Sequence, residues 1–561
     1  MLLNKPAAFV DEALEGLVFS CDRLALLEGA PVVLRRERAA SVVAVLSGGG
    51  SGHEPAHAGF VGRGLLSAAV CGRVFASPSV ANVLAGIRAV ATPAGVLLIV
   101  KNYTGDRLTF GLAAERARAE HGIDCEVVLV GDDVALPPEA GIAGRRGLAG
   151  VLLVHKVAGA AAEAGLPLPA VAAEARAVAE RLASVGAGFT CARIPGAAPA
   201  RLLAPGTFEL GLGIHNEPGA ETRPLCSADE LTACIVQRIL SSGYVAFPPS
   251  AKLVVLINSL GGTPPGELML VCRAALALLR AAGFHVARVF SGALMTSLDA
   301  AGVSITLLRV DDDGVLRRLD AFTDAPAWPR LSSSDAGLAV VPCPAPPAAD
   351  APKLRTPSTP EGAALAAAIR AGAQALVAAE SQLSSADSVV GDGDCGATLA
   401  AGASAVLEDM GFYDMDDAAT TAASLAASVR RSMGGTSGLL YDVFFSAAAA
   451  VMAAPSQSGA LAVTDQLRQG LAAGSDAVAR CGGASVGMRT MLDALQPAAA
   501  AALAGTSAAA VADAAQAGAE ATRGMPALAG RSSYVPAAVL AATPDPGAMA
   551  VAIWLRAGLG C

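Results

Sequence analysis

Four short apolar runs set the rhythm of the first part of the chain: SVVAVLS (41–47), GVLLIV (95–100), CEVVLV (125–130) and GVLLVH (150–155). Each is bounded by glycine or charge and reads as a buried strand. Between them lie stretches of helical spacing, such as FGLAAERARAEHG (110–122). Strand and helix in alternation predict a mostly parallel α/β sheet. A second α/β block follows, with strands LVVLINSL (253–260), HVARVF (285–290) and VSITLLRV (303–310) and a helix over 265–283. The loop-like GAAPARLLAPG (196–206) marks the boundary between the blocks.

The pattern then changes. The segment 331–362 is crowded with Pro, Ala and Ser and reads as an interdomain linker, because proline stiffens the chain and removes backbone donors. Beyond residue 361 the strands vanish. AALAAAIRAGAQALVAAES, TTAASLAASVR, DQLRQGLAAGSDAVARC and PGAMAVAIWLRAG follow one another as helices. The expected organisation is a first α/β subdomain (1–195), a second (196–330), a linker (331–360) and an all-α domain (361–561).

Composition narrows the setting. A chain of 561 residues is too long for one ordinary core. Its net charge is −9 with no basic tract, which argues against a nucleic-acid partner. Eleven cysteines without a CxxC pair read as reduced thiols, and the opening MLLNKPAAFVDEALEG lacks a signal-peptide layout. A cytoplasmic protein is expected. The apolar stretch 81–100 is interrupted by Arg88 and Pro93 and ends in Lys101 and Asn102, so helix then strand fits better than a membrane span.

Against this sparse use of charge, a few segments stand out. SGGGSGHEPAHAGFVG (47–62) follows a strand and precedes an expected helix; its glycines let backbone N–H groups converge on a ligand oxygen. It is not a Walker loop, and Pro55 keeps HEPAH from being a helical zinc motif. Of six histidines, His53, His155 and His215 fall in glycine-bounded or strand-end loops, and Glu217 lies close to His215 in GLGIHNEPG. A neutral imidazole there can serve as base, ligand or nucleophile. Asp106, in VKNYTGDRLTFG, stands just past a parallel strand, where open α/β sheets place their ligands. In the helical half, Asp387, Asp392 and Asp394 surround the glycines of GDGDCG. Three hard oxygen ligands without EF-hand spacing suit Mg²⁺ shared with substrate phosphates, which points to phosphoryl transfer. The turns MGGTSG (433–438), GGASVGMRTMLDAL (482–495), AGRSSYVP (529–536) and TPDPGA (543–548) are suited to phosphate at helix N-termini.

Taken together and in order, SGGGSGHEPAHAGFVG, VFASPS, IVKNYTGDRLTFGLA, GLGIHNEPG, TSLD, GDGDCG, MGGTSG, RTMLDAL, GRSSYV and DPGA resemble the ATP-dependent dihydroxyacetone kinases, which include the triokinase/FMN cyclases. The resemblance covers nearly the whole chain. It implies a substrate half of two α/β subdomains and a nucleotide half built as a barrel of eight helices. It implies that His215 holds the substrate carbonyl as a covalent hemiaminal, that His53 and Asp106 act as acid–base groups, and that Gly49, Gly50, Ser51 and Gly52 line the same pocket. Asp387, Asp392 and Asp394 match the magnesium ligands. Cys395, Gly396, Thr398, Gly434, Thr436, Ser437, Arg489, Met491, Arg531, Asp545 and Gly547 match the nucleotide site, which Asp392 and Asp394 share. The implied activity is phosphorylation of dihydroxyacetone and of glyceraldehyde by MgATP, in a homodimer without nucleic-acid or membrane partners. Family members that cleave FAD with Mn²⁺ supply the alternative of a lyase, and a non-catalytic regulator is the other. The sequence departs from the family at Met488, where an acid is usual, and at Ala300 and Ala301, where methionine and proline are usual.

Overall fold

The computed structural model describes residues 2–37, 41–136, 144–198, 201–329, 332–333, 341–343, 353–454 and 462–561. They form two compact units, 1–342 and 343–561.

In the first unit, strands β1 (Leu24–Leu26), β2 (Val32–Arg35), β3 (Ala44–Ser51), β4 (Ala68–Val74), β5 (Val96–Lys101) and β6 (Cys125–Val130) make one sheet in the order β1-β2-β4-β3-β5-β6. The four strands β4, β3, β5 and β6 are parallel, and β1 and β2 add an antiparallel edge. All six residues of β5 are buried. Val96, Leu98 and Val100 face one layer, against Val83, Ile87 and Phe110, while Leu97 and Ile99 face the other, against the helix Val151–Glu163. Helices on both faces explain why the strands read as continuous apolar runs.

The second sheet contains β7 (Leu182–Gly188), β8 (Thr207–Leu210), β9 (Glu221–Pro224), β10 (Lys252–Ser259), β11 (His285–Gly292), β12 (Gly302–Val310) and β13 (Ser332–Ser333), in the order β13-β11-β10-β12-β7-β8-β9. Here β10 and β11 are parallel and the other described pairs are antiparallel.

Four expectations from sequence are corrected. GVLLVH is not a strand: it opens the helix Val151–Glu163, in which twelve residues from Val151 to Ala162 are buried. A helix packed on every side is apolar all round and cannot be told from a buried strand by its first six residues. His155 is therefore mid-helix, not in a loop. The change of sheet comes between Val130 and Leu182, ahead of the 195/196 boundary, because β7 already belongs to the second sheet. The glycines of 48–50 extend β3, and the chain then passes through a turn into the short 3₁₀ helix Ala58–Phe60 rather than a regular helix. Most of the proline-rich segment 331–352 lies outside the described residues.

The described part of the second unit is all helix. Pro360–Ala378 packs on Cys395–Asp409, and then in succession come Ala418–Ser432, Gly435–Ala453, Val463–Gly482, Leu492–Leu503, Ala508–Ala521 and Pro546–Gly558, which returns to Pro360–Ala378. Gly435–Ala453 is long and apolar enough to cross a bilayer, but it is flanked by helices on both sides and contributes Tyr441 and Phe444 to the core.

Candidate functional site

The C-terminal ends of β3 and β5 meet at the glycine-rich segment. That segment is pinned by backbone bonds: Phe75 N–H donates to the Ser51 carbonyl at 2.9 Å and Leu298 N–H to the Gly52 carbonyl at 2.7 Å. Gly52 has φ +99°, and a Cβ there would lie 2.7 Å from the Phe75 ring, so only glycine fits. The Ser51 hydroxyl is committed to the Gly72 carbonyl at 2.7 Å. Glu54 accepts from Gly52 N–H, and burial raises its acid range.

This frame carries His53 into a pocket with no solvent exposure. Its Nδ1 lies 2.8 Å from the Thr296 carbonyl and its Nε2 3.0 Å from Nε2 of His215. His215 comes from the loop between β8 and β9, 162 residues away. The Ser297 hydroxyl donates to the Ile214 carbonyl at 2.7 Å and ties that loop down. Glu217 accepts from both the backbone N–H and Nδ1 of His215, at 2.9 and 3.0 Å. A Cβ on Gly213 would lie 2.1 Å from the Glu217 carboxylate, so a side chain there would displace that carboxylate. Three rings meet His215 edge-on: Tyr103 at 4.6 Å, His53 at 4.7 Å and Phe75 at 5.3 Å. Phe75 also stacks on His53 at 5.4 Å.

Asp106 lies in the first turn of the helix Thr104–His121, is buried, and accepts from the Ser77 hydroxyl at 2.5 Å. A Cβ on Gly49 would sit 3.3 Å from its carboxylate, so the acid borders the glycine segment. Gly50 instead packs against the backbone of Phe75 and Ala76.

Charge in this pocket is strongly perturbed. Burial, reinforced by the charge of Lys101 and by His215, holds His53 well below the ordinary histidine range. Burial and Lys101 do the same to His57, and bring His155 down to about 3. Burial also lowers Lys101, against the pull of Asp106, Glu217 and Asp132. Burial would raise Glu217, but its bonds to His215 outweigh it and hold the carboxyl at about 2. Lys101, Tyr103, Phe75 and His57 join the pocket although their sequence context assigns them no role, and His155 lies behind it, against the His57 ring and the Ser47 hydroxyl. The Lys101 Nζ, the Tyr103 hydroxyl and both ring nitrogens of His57 are buried without a hydrogen-bond partner. A lysine closing a fully apolar run, in a chain with five lysines, is the signal that points to this position.

In the second unit the turn after the helix Glu380–Val390 brings Asp387, Asp392 and Asp394 together, with one oxygen of each within 4.8 Å of the others. Asp387 is buried and oriented by Gly393 N–H at 2.9 Å and Cys395 N–H at 3.1 Å, while Asp392 and Asp394 face solvent. An anchored carboxylate beside two open ones suits a hard divalent cation that keeps positions free for a second ligand. Arg531 pairs with Asp392. Gly396 packs on the Glu380 carbonyl, and Thr398 N–H donates to the Asp394 carbonyl at 2.9 Å. Asp545 caps the helix Pro546–Gly558 through Ala548 N–H, and Met491 flanks Gly547. Burial pushes Asp545 up to about 6, with Asp493 and Asp387 adding to the rise and Arg489 opposing it. Gly434, Thr436 and Ser437 stand at the N-terminus of Gly435–Ala453, where backbone N–H groups are free for an anion. Arg489 is different from what its motif suggested. It is fully buried and donates to the Thr543 and Leu540 carbonyls, so it braces the loop from inside.

Residues 15–327 match the Dak1 domain and residues 389–559 the DAK2 domain. The chain belongs to the ATP-dependent dihydroxyacetone kinase family. It is 49% identical to a "Putative 3,4-dihydroxy-2-butanone kinase" of Solanum lycopersicum, over 99% of this chain and 97% of that one. It is 40% identical to the human "Triokinase/FMN cyclase", over 99% and 98% of the two chains. The crystal structure of the dihydroxyacetone kinase from C. freundii in complex with AMP-PNP and Mg²⁺ superposes with a TM-score of 0.66 at 36% identity, covering 99% of this chain and 98% of that one. As a family member the chain is an enzyme, a kinase of the dihydroxyacetone and triose class. The histidine pocket lies within the first matched segment, and Asp392 and Asp394 of the acid cluster lie within the second.

Proposed function

We propose that this kinase transfers the γ-phosphate of MgATP to a terminal hydroxyl of dihydroxyacetone, and of glyceraldehyde, while His215 holds the substrate carbonyl as a hemiaminal. The observation that carries this reading is His215 itself. Its Nδ1 is fixed by Glu217 and its Nε2 is turned into a buried pocket, the arrangement an imidazole nucleophile needs. A covalent bond to a carbonyl separates a ketone or aldehyde from glycerol, which hydrogen bonding alone would do less well. Asp106 is the base for the hydroxyl, and Gly49 leaves room for that hydroxyl beside it. His53 serves the carbonyl end. Gly50, Ser51 and Gly52 shape the wall.

On the nucleotide side, Asp387, Asp392 and Asp394 would hold Mg²⁺, which neutralises charge on the transferring phosphate when bound. The complex of the C. freundii kinase with AMP-PNP and Mg²⁺ supports that assignment. Thr436, Ser437, Gly434 and the turns at Cys395–Thr398, Met491 and Asp545–Gly547 would receive the nucleotide. Arg531 would leave Asp392 for phosphate. The head-to-tail succession of eight helices supports a closed barrel around this domain's core. A homodimer in the cytoplasm is the proposed working form, and all eleven cysteines are free thiols, as a reducing compartment requires.

The test is a coupled kinase assay on dihydroxyacetone, glyceraldehyde, 3,4-dihydroxy-2-butanone and glycerol, with and without Mg²⁺. Activity on the carbonyl compounds alone, lost in both His215→Ala and Asp392→Ala, is the expected result. Near wild-type rates in both variants would refute the mechanism. The name of the human relative favours a second reading, cleavage of FAD to cyclic FMN; incubation with FAD and Mn²⁺ and analysis of the products decides it. A regulatory role is less well supported. The match to the co-activator of a dihydroxyacetone kinase operon spans 56% of this chain, whereas Asp392 and Asp394 of the acid cluster lie in the second matched domain and Asp387 just ahead of it.

A further inference from the structure

We propose that His53 and His215 share one proton across their Nε2–Nε2 contact in the resting enzyme, and that Glu217 and the Thr296 carbonyl are the positioning groups that keep it there. The inference rests on the reading of His215 as the group that captures the carbonyl, and it adds where the proton for that capture is stored.

A count of hydrogens leads to this proton. A backbone carbonyl only accepts, so His53 Nδ1, 2.8 Å from the Thr296 oxygen, must carry a hydrogen. An ionised carboxylate only accepts, so His215 Nδ1, 3.0 Å from Glu217, must carry one too. Both rings therefore have only Nε2 left, and those two atoms face each other at 3.0 Å. Without a further hydrogen, two lone pairs would oppose each other at hydrogen-bond distance. One proton turns the clash into an N–H···N bond. The pair then holds three hydrogens on four ring nitrogens, and its single positive charge lies against the Glu217 carboxylate.

The charges around the two rings differ. His53 faces Lys101 at the end of β5 and His57 on its own segment, and burial penalises a charge on it. His215 has Glu217 on its own loop and the neutral rings of Tyr103 and Phe75 against it. Further charges lie around Lys101 and Tyr103: Asp106 on the helix Thr104–His121, Asp132, and the Arg146–Asp133 ion pair.

The stored proton balances the capture step. As the carbonyl parts the two Nε2 atoms, the proton crosses to His53. The freed lone pair of His215 forms the N–C bond, the π pair of the carbonyl moves to oxygen, and that oxygen takes the proton from His53. The product is a hydroxyl on an Nε2-substituted imidazolium, still paired with Glu217, and a neutral His53. The total charge is unchanged and no outside acid is consumed.

Nitrogen NMR of the full-length enzyme with labelled histidine, without substrate, tests the stored proton. Both Nδ1 atoms are expected to be protonated at about pH 7, with one further hydrogen shared by the Nε2 atoms. In Glu217→Gln, whose side chain still accepts but carries no charge, loss of the shared hydrogen should move down by about one pH unit, a tenfold change in its equilibrium. A merely structural role for Glu217 would weaken the enzyme without moving that titration. A bare Nδ1 on either ring of the wild-type protein would overturn the proposal, whether or not the variant folds. A titration that Glu217→Gln leaves in place would overturn the role of Glu217. Carbon NMR with carbonyl-labelled dihydroxyacetone separates this from the parent reading. A tetrahedral carbon together with a bare Nδ1 refutes the stored proton alone. No tetrahedral carbon, with the three hydrogens present, refutes capture and delivery while supporting the stored proton.

Discussion

Replacing Gly52 by alanine should damage stability and activity through one ring. The residue has φ +99°, and a methyl group would lie 2.7 and 3.0 Å from two atoms of Phe75 and 3.4 Å from Leu298. The backbone term for an L-residue in this region is about 1–2 kcal/mol. The crowding term is about 1–3 kcal/mol, because the ring must yield where it is already stacked on His53 and set edge-on against His215. Together the loss is about 2–5 kcal/mol of stability in the first unit. Restoring ordinary contact needs a displacement of roughly 0.7 Å, and a shift of that size beside reacting groups costs about tenfold to a hundredfold in kcat/KM.

The two contributions separate in a double-mutant cycle. In a Phe75→Ala background the crowding disappears and the backbone term stays, so Gly52→Ala should cost only about 1–2 kcal/mol there. Urea unfolding followed by Trp328 fluorescence reports on this unit, since Trp328 packs on Phe60 and Phe290. A Trp554→Phe background removes the signal of the other tryptophan of the chain. Equal costs of Gly52→Ala with and without the Phe75 ring would refute the steric argument, and an unchanged unfolding curve in the single variant would refute both parts.

Asp106→Asn should lower kcat by about 10²–10⁴-fold while the carbonyl adduct still forms, as carbon NMR would show; an unchanged kcat would remove Asp106 as the base. Asp392→Ala should cost several kcal/mol of transition-state stabilisation, about 10³-fold in kinase rate, and leave substrate capture intact. The Glu217 carboxyl sits at about 2 in the fold against 4.5 without it, so its stabilisation is present above pH 4.5 and lost as pH falls toward 2. With its partial exposure discounted, Glu217→Gln should cost about 1–2 kcal/mol near neutral pH, and denaturant titrations should show the gap to wild type closing in acid. Asp545 has the opposite sign. Its carboxyl is raised from 3.8 to about 6, so it costs stability increasingly as pH rises through that window, and Asp545→Asn should gain about 1–2 kcal/mol above pH 6 and nothing below 3.8.

The sequence marked the clustered polar residues better than the framework around them. Asp387, Asp392 and Asp394 were legible because glycine and acid alternate in a chain poor in charge, and they do converge. His53, His215 and Asp106 were legible because each interrupts an apolar or glycine-rich run. Their partners were not. The groups that fix the two histidines are a backbone carbonyl at Thr296, which no side chain announces, and a contact between segments 162 residues apart. The missed sheet boundary has a similar cause. β7 reads LASVGAG, mostly small residues: a Cβ on Gly188 would lie 2.1 Å from the Leu212 side chain and one on Gly186 3.2 Å from the Leu212 carbonyl. A strand shaped by what lies over it has no apolar alternation to read.

The same distinction between side chain and backbone bears on Met488, where the family usually has an acid. The loop around it is shaped by other residues. Asp493 accepts from Gly487 N–H at 2.5 Å and from Thr490 N–H at 2.7 Å, closing the turn from the next helix. Arg489, at φ +62°, turns inward and braces the Thr543 carbonyl at 2.7 Å. Met488 itself contributes its carbonyl, which accepts from Leu528 N–H at 3.2 Å, and its sulfur, which accepts from Ser485 N–H at 3.4 Å. The first of these joins the loop to the segment that leads to Arg531, the residue paired with Asp392. Any side chain leaves that backbone bond in place. The departure therefore falls at a position whose structural contribution is mostly main chain, and Asp493 and Arg489, which hold the geometry, are both present.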